Sequence, residues 1–345
     1  MLSVVEKSFW SAVAARLAVA IPRGRLHAAV LRWAETSPPN ARWAVALSGG
    51  ADSVSLLLLL WAHFPERRTR MLALHFNHRL RGRASAGDAR FCAALCAGLG
   101  VTCVGGTRAG KQPYASEAEA RAGRMAFFAT TLKRRRATSL FTGHHRDDVA
   151  ETFFMRLARG SGAAGLSAPR PVHAQPSLGR VHLRPLLNLD KAELAAALRA
   201  AGGTWREDAS NESPAFLRNR VRAALVPAWR DIAAEPGRDA LGGLALSREL
   251  LEEDDDALEA WVDRVTRMDA RGGLALRPLA GLPRAIVRRA VRRWLESTPV
   301  CTDLNRKGFN ALLDLVVSGR PGARQSLGAG HFALRGRARL TCVPA

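Results

Sequence analysis

A glycine-rich loop between two apolar runs is the feature that most constrains how this chain can fold. The run before it ends at Leu47, the run after it begins at Val54, and the loop reads Ser48-Gly49-Gly50-Ala51-Asp52-Ser53. This order predicts a buried strand, a sharp turn and the start of a helix. Adjacent glycines bring backbone N–H groups close to a ligand, and a helix start adds unpaired donors and the positive end of its dipole. The loop therefore predicts a phosphate site.

The side chains of the loop favour a nucleotide over a bare anion. Ser48 and Ser53 can add hydroxyl donors, whereas Asp52 repels phosphate unless a Mg²⁺ ion lies between them. The alternative is a strand-to-helix turn whose Ser and Asp side chains merely cap a core helix. The loop lacks the Walker A arrangement, and no lysine lies near it. We therefore expect another class of ATP-binding loop, with Asp52 as the Mg²⁺ ligand.

Alternating strands and helices follow the loop. Strands are predicted over residues 43–47, 71–76, 101–104 and 139–142, and helices over 84–99, about 115–135 and 145–159. Such units predict an α/β fold with a doubly wound parallel sheet that has helices on both faces. Ligands of such sheets bind at the carboxyl ends of the strands.

A cluster of acids and histidines falls at one of those strand ends. It reads Gly143-His144-His145-Arg146-Asp147-Asp148-Val149-Ala150-Glu151-Thr152. If the residues from 145 are helical, His144, either Asp147 or Asp148, and Glu151 lie on one face. Acids that only cap a helix N-terminus are the alternative. Because the cluster lies at a ligand-binding edge, we favour a pocket for an ammonium group or a metal ion.

The chain carries a large excess of positive charge. Its formal net charge is +22 and its pI is near 11.4, which favours a polyanionic partner and above all a nucleic-acid backbone. A membrane surface or an acidic protein stays open on charge alone. Arg218 and Arg222 lie one helical turn apart and are either a solvated stripe or RNA ligands. Arg121 either forms ion pairs along its helix or faces an ATP phosphate.

The composition changes at an acidic run, residues 252–256. Beyond it we predict helices at 257–265, 283–295 and 306–318 and strand-like runs at 324–327, 331–334 and 339–343. This is a small α+β module that presents arginines to a nucleic acid. The predicted division is an N-terminal helical extension (1–40), a ligand-binding α/β domain (41–212), a helical linker (213–250) and a small C-terminal domain that binds nucleic acid (251–345).

Several sequence features favour a cytoplasmic enzyme with free thiols. No apolar stretch reaches the roughly 18 residues of a membrane span, and no signal peptide is evident. The five cysteines form no C-x-x-C pair and no zinc-type cluster. We expect Cys92 and Cys96, four apart on one helix, to be packed thiols rather than ligands. The oligomeric state stays open, with a homodimer as one option.

Together the motifs resemble one known family. The loop resembles S-G-G-x-D-S, the signature of the PP-loop ATP pyrophosphatases, which have an adenine nucleotide alpha hydrolase-like fold and cleave ATP between its α and β phosphates. The motifs in their order resemble the tRNA(Ile)-lysidine synthetases. The likeness covers about residues 41–229 and rests on the loop and acid motif quoted above and on His75-Phe76-Asn77-His78-Arg79-Leu80-Arg81-Gly82, Arg159-Gly160-Ser161-Gly162, Trp205-Arg206-Glu207-Asp208-Ala209-Ser210-Asn211 and Arg218-Asn219-Arg220-Val221-Arg222.

The resemblance implies a reaction on the wobble cytidine of a CAU anticodon in an isoleucine tRNA. In that family, ATP adenylates the cytosine 2-carbonyl oxygen, and the lysine ε-amine then displaces AMP to give lysidine. The product decodes AUA instead of AUG.

The resemblance also implies a role for each matching residue. The expected ATP ligands are Ser48, Gly49, Gly50, Ala51, Asp52, Ser53 and Arg121. The expected lysine ligands are His144, Asp148 and Glu151, which with Asp52 form the expected catalytic set. The expected tRNA ligands are His78, Arg79, Arg81, Arg218, Asn219 and Arg222.

One position departs from the family pattern, and two other functions stay open. Met125 stands where the family usually has tyrosine, so the role of that tyrosine is not carried over. A tRNA thiolation enzyme shares the loop but usually needs cysteine pairs. A non-catalytic basic RNA-binding protein is the other alternative, and the presence of Asp52, Asp148 and Glu151 argues against it.

Overall fold

A computed structural model describes residues 4–79, 82–108, 117–175, 178–207, 216–233, 239–298 and 304–345, without the side chains of 4–7 and 117. The chain divides into two compact units, Met1–Leu251 and Glu252–Ala345. We describe each unit by itself. The four-part division expected from the sequence stays a prediction.

A six-stranded sheet organises the first unit, with the strand order β3-β2-β1-β4-β6-β5. Neighbouring strands are parallel except at one edge, where β5 runs antiparallel to β6. The strands are β1 (Arg42–Ala46), β2 (Met71–Asn77), β3 (Thr102–Thr107), β4 (Ala137–Phe141), β5 (Val172–Gln175) and β6 (Arg180–Leu183). The predicted parallel sheet is confirmed, whereas the hairpin β5–β6 was missed because its strands have only four residues each.

Helices cover both faces of this sheet. Along β1, Trp43 and Val45 point into one core and Ala44 into the other, because successive side chains of a strand alternate. The first core is closed by α1, α3, α4 and α8, and the second by α5. The helices of this unit are α1 (Val4–Ala20), α2 (Ala28–Thr36), α3 (Ala51–His63), α4 (Arg83–Leu99), α5 (Glu117–Arg135), α6 (Arg146–Leu157), α7 (Ala163–Leu166), α8 (Lys191–Ala200), α9 (Leu217–Arg220) and α10 (Val226–Ile232).

The N-terminal residues share the main core of the first unit. Val13, Leu17 and Ile21 are fully buried in the cluster that also contains the leucines of α3. Cys92 and Cys96 are buried in the same cluster, as their helical spacing predicts. This packing fixes α3, and therefore the start of α3 at the glycine loop.

A small α+β arrangement forms the second unit, as predicted. Its antiparallel sheet has the order β7-β10-β9-β8, and its core includes Trp294, Leu312 and Leu340. The elements are β7 (Leu274–Ala275), α12 (Arg284–Ser297), α13 (Arg306–Ser318), β8 (Arg324–Gly328), β9 (His331–Arg335) and β10 (Arg339–Pro344).

The expected helix at 257–265 is longer than predicted. It belongs to α11 (Ala240–Val265), which runs without a break through the acidic run. Leucine, alanine and glutamate dominate this stretch and favour helix, so the acids do not interrupt it. They are instead partners for the arginines of α12: Arg289 lies 2.6 Å from Asp255 and 2.6 Å from Glu259. Across the described ranges, no helix combines the length and apolarity that crossing a membrane requires.

Candidate active site

The glycine loop leaves the carboxyl end of β1 and is held by its own hydroxyl groups. The backbone amides of Ser48 and Gly49 both donate to Ser53 Oγ at 3.2 Å. Gly49 has a φ of +97°, a conformation that side chains disfavour, and any Cβ there would lie 3.3 Å from Cys92 Sγ. The amides that follow begin α3 and have no carbonyl partner within the helix. The loop therefore presents a pre-formed set of donors to an anion.

Two distant parts of the chain contact the loop through the backbone. Gly143 follows β4, and a Cβ on it would lie 2.9 Å from the carbonyl oxygen of Asp52. The amide of Arg206 donates to the carbonyl of Gly49 at 2.8 Å. The Arg206 side chain is in turn held by Asp88 on α4, with Nε 3.0 Å from Oδ1. Three of the motifs singled out in the sequence thus meet at one place.

The two carboxylate oxygens of Asp52 have different surroundings. Its Oδ2 lies 3.6 Å from Nε2 of His145, whereas Oδ1 is buried without a hydrogen-bond partner among the described residues. An orphaned carboxylate oxygen fits a magnesium ion, which usually takes one or two protein carboxylates and fills its shell with phosphate oxygens and water. Within the described ranges, no group of three or more His, Cys, Asp or Glu side chains could hold a metal ion. Asp52 would therefore be the protein's contribution to a metal held mainly by a nucleotide.

His145 is a charged residue at the centre of the acid motif. Its ring nitrogens lie 3.6 Å from Asp52, 3.5 Å from Asp147 and 3.4 Å from Asp148, and its amide donates to Asp148 Oδ2 at 3.0 Å. Burial lowers the pKa of His145, but Asp148, Asp147 and Asp52 outweigh burial and raise the pKa to about 10. The imidazolium therefore neutralises part of the acid cluster and joins it to the glycine loop.

His144 behaves in the opposite way. Burial lowers its pKa to about 3, with Arg184, Arg218 and Arg121 adding to the effect and Asp148 opposing it. Its Nδ1 lies 2.9 Å from Thr142 Oγ1. At neutral pH the His144 ring is therefore uncharged.

Glu151 is fully buried and is bound by two arginines. Arg218 Nε lies 2.8 Å from Oε2 and Arg222 Nε lies 2.5 Å from Oε1. Arg218 also lies 3.7 Å from Asp148 Oδ1. Arg222 belongs to a single π-helical turn, Val221–Leu225, that links α9 to α10. We call Glu151, Arg218 and Arg222 the Glu151 cluster.

Comparison with known proteins identifies the family. The PP-loop domain family matches residues 25–229. A tRNA(Ile)-lysidine synthase of Zymomonas mobilis is 32% identical over 87% of this chain and 89% of that protein, and one of Thermobifida fusca is 36% identical over 79% and 82%. The chain belongs to the tRNA(Ile)-lysidine synthase family. The resemblance predicted from the motifs is thereby confirmed.

Two other similarities of this lysidine synthase family member are to a longer relative and to a solved structure of low sequence identity. The tRNA(Ile)-lysidine synthase of Geobacter sulfurreducens is 37% identical over 84% of this chain, but the match covers only 62% of the Geobacter protein. The chain thus spans less than two thirds of that relative. The U34-tRNA thiolase NcsA from Methanococcus maripaludis, solved with its [4Fe-4S] cluster, aligns with a TM-score of 0.51 at 17% identity over 72% of this chain and 80% of NcsA. That likeness shows a shared fold.

The structure places the residues expected to contact RNA in three settings. His78 is half-buried, with its ring 4.8 Å from that of Phe76, whereas Arg79 is exposed and has a φ of +56°. Arg81 lies outside the described residues. Arg218 and Arg222 point to Glu151, with Asn219 half-buried between them in the chain. Their role in binding RNA stays a prediction.

Sequence reasoning missed the loop contact of Arg206 and the charge on His145. The signal for Arg206 was its place in the Trp205 motif, but the backbone bond to Gly49 spans more than 150 positions and leaves no local pattern. The second histidine of the acid motif was overlooked because helical spacing assigned the functional face to His144. A histidine followed by two aspartates is a fair signal for a charged ring.

Proposed function

We propose that this chain joins lysine to the wobble cytidine of the CAU anticodon of tRNA(Ile), consuming ATP and releasing AMP and pyrophosphate. One observation carries the proposal. The loop built for phosphate touches the acid motif both through Gly143 and through the 3.6 Å contact between Asp52 and His145. A site that activates an oxygen and a site that binds an amine are therefore contiguous.

The first step is adenylation. The cytosine 2-carbonyl oxygen attacks the α-phosphorus of ATP, a P–O bond forms there, and the bond to the pyrophosphate oxygen breaks. The amides at the start of α3 bind phosphate oxygens. Asp52 would hold Mg²⁺, whose charge offsets the charge that develops on the leaving pyrophosphate.

The second step is displacement by the amine. The lysine ε-ammonium gives a proton to water, its nitrogen attacks C2 of the activated base, and the C–O bond to AMP breaks. The nitrogen then loses a second proton to water. Asp148 orients the ammonium group, and His144, uncharged at neutral pH, leaves that attraction undiminished. Both oxygens of Glu151 are engaged by arginines, so lysine reaches Glu151 only when one guanidinium gives up its contact.

Direct assay of the reaction tests this proposal. Purified protein is mixed with Mg-ATP, radiolabelled lysine and a CAU-anticodon tRNA(Ile) transcript, and both the label in RNA and AMP release are followed. We expect Asp52→Asn to reduce incorporation at least 100-fold. Asp231→Asn, which removes an exposed carboxylate of α10, is the matched control and should keep wild-type activity.

Each other outcome points to a different function. AMP release with RNA but without lysine incorporation would preserve the ATP-dependent activation and require another nucleophile. An absence of both would favour the RNA-binding alternative. Thiolation is not favoured, because the cysteines of the sequence form no C-x-x-C pair.

A further inference from the structure

A second concentration of charge lies where β6 ends. Arg184 directly follows β6, and the Leu183 carbonyl accepts a hydrogen bond from the Thr142 amide at 2.9 Å, so this strand end lies beside the end of β4. Arg184 is only 9% exposed. None of the roles expected from the sequence includes it.

Arg184 is buried without a counter-ion. Its Nη1 donates to the carbonyl of Arg170 at 2.6 Å, but within the described part of the chain no carboxylate lies within 4 Å and its Nε has no hydrogen-bond partner. His182, on β6 itself, is 5% exposed, and its Nε2 also lacks a partner among those residues. A buried guanidinium is costly unless an anion pairs with it. The site therefore has the composition of an anion-binding site.

Two further arginines add to the positive charge. Burial lowers the pKa of Arg184, and the charges of Arg121 on α5, Arg156 on α6 and Arg248 lower it further, whereas Asp148 opposes them. Arg121 and Arg156 therefore lie within electrostatic range of Arg184. Arg121 is exposed, while Arg156 is half-buried and donates to the carbonyl of Gly165. We call Arg184, Arg121, Arg156 and His182 the Arg184 cluster. The cluster carries three positive charges, whereas one would be enough to pair with a single carboxylate ligand.

We propose that the Arg184 cluster binds a backbone phosphate of the RNA substrate. The proposal rests on the proposed function, because that function supplies the RNA. Guanidinium groups pair with phosphate oxygens through two parallel hydrogen bonds, and several of them suit a polyanion better than a carboxylate.

The position of the cluster separates it from the triphosphate site. In the strand order, β4 lies between β1 and β6, so the cluster lies two strands, about 10 Å, from the glycine loop. The cluster and the loop flank the acid motif on opposite sides. A nucleotide whose base reaches the loop would thus have its own or a neighbouring phosphate near Arg184.

Binding of a CAU anticodon stem-loop RNA at several salt concentrations tests this site. The variants are Arg121→Gln, Arg156→Gln and Arg184→Gln, and the matched control is Arg134→Gln, which removes an exposed arginine from the same helix as Arg121. We expect each cluster variant to weaken RNA binding about 5- to 20-fold. The slope of log K against log salt should become shallower by about 0.7 for each lost phosphate contact, as expected for single-stranded RNA. For the control Arg134→Gln, the loss of RNA affinity and the change in slope should both be less than half of those expected for the cluster variants.

Two further measurements distinguish the outcomes. ATP affinity, measured on Arg156→Gln and Arg184→Gln, should stay within twofold of wild type. Weaker ATP binding with unchanged RNA binding would overturn the proposal and assign the cluster to the nucleotide, and Arg121→Gln matching the control in RNA binding would overturn it outright. Because Arg121 is exposed, this result does not depend on how well Arg184→Gln folds. Lysine incorporation by the wild-type protein is scored separately, so failure of the proposed reaction leaves the RNA-binding result interpretable.

Discussion

The Glu151 cluster and the Arg184 cluster flank the same helix but treat charge in opposite ways. In the first, a fully buried carboxylate holds two guanidinium groups at 2.8 and 2.5 Å. In the second, a buried guanidinium has mostly neighbours of its own sign, with Asp148 as the opposing charge, and no ion-pair partner within 4 Å in the described chain. Histidines follow the same division: acids raise the pKa of His145, while burial and arginines lower that of His182. The difference indicates that the charges of the Glu151 cluster are balanced within the protein, whereas the charges of the Arg184 cluster are balanced by a ligand.

Removing the carboxylate of Glu151 should produce the largest effect. Glu151→Gln keeps the shape but leaves Arg218 and Arg222 without their counter-charge, so we expect the free energy of unfolding to fall by about 3–5 kcal/mol. Hydrogen exchange of the α6 amides measures it. Glu249→Gln, at a carboxylate with 41% of its side chain exposed, should cost less than 1 kcal/mol. Equal costs for the two variants would contradict the comparison.

Acid should destabilise the Arg184 region through His182. Burial lowers the pKa of His182 to about 4, and Arg184 and Arg180 contribute to this shift. Below pH 6.5, His182 is therefore protonated in the unfolded chain but still neutral in the folded protein. Between pH 6.5 and pH 4 we expect this to remove about 2–3 kcal/mol from the free energy of unfolding. The exchange of β6 amides reports it. In His182→Gln that part of the pH dependence should vanish, and an unchanged slope would show that the histidine is not held neutral.

A double-mutant cycle sharpens the contrast between buried and exposed pairs. For Glu151 and Arg222 we expect a coupling energy of about 2 kcal/mol, because the carboxylate is out of water. The pair Arg25–Glu193, at 2.8 Å and with side chains 49% and 35% exposed, should give about 0.5 kcal/mol. Urea unfolding of the four proteins in each cycle supplies both values. Similar couplings would mean that burial is not what distinguishes the Glu151 cluster.

The smallest effect should have the opposite sign. Arg184→Met replaces a buried, unpaired cation by an apolar side chain of similar length, and we expect it to raise the free energy of unfolding by about 1 kcal/mol in dilute buffer. Thermal unfolding measures the change. Inorganic phosphate at 20 mM should stabilise the wild type more than the variant and so narrow the gap. If Arg184→Met is less stable than the wild type and phosphate stabilises neither protein, Arg184 has only a structural role.

The sequence predicted the sheet because its strands and helices carry local signals. The apolar run that ends at the glycine loop marked β1, and the apolar run after the loop marked α3. Strands β5 and β6 carry mixed polar and apolar residues over four positions each, too few for a period to be read. The length of α11 was misjudged because a change of composition was taken for a boundary.

The site was predictable in its motifs but not in its pairings. The loop and the acid motif are contiguous in sequence, so their residue types reveal their chemistry directly. Arg218 and Arg222 also stood out, yet nothing in the chain tells a guanidinium that faces phosphate from one that faces Glu151. Arg184 left no motif at all, since a single arginine after a strand becomes informative only when burial and missing partners are known.

The close approach of Gly143 to Asp52 bears on how proteins of this architecture diverge. A Cβ at Gly143 would stand 2.9 Å from a backbone oxygen, so the contact joins main chain to main chain and ignores the side chains that α6 carries. The exposed side chains of α6 can therefore change without disturbing this contact. The glycine itself cannot change in this way. Alanine at this position would force the backbone of the glycine loop to move.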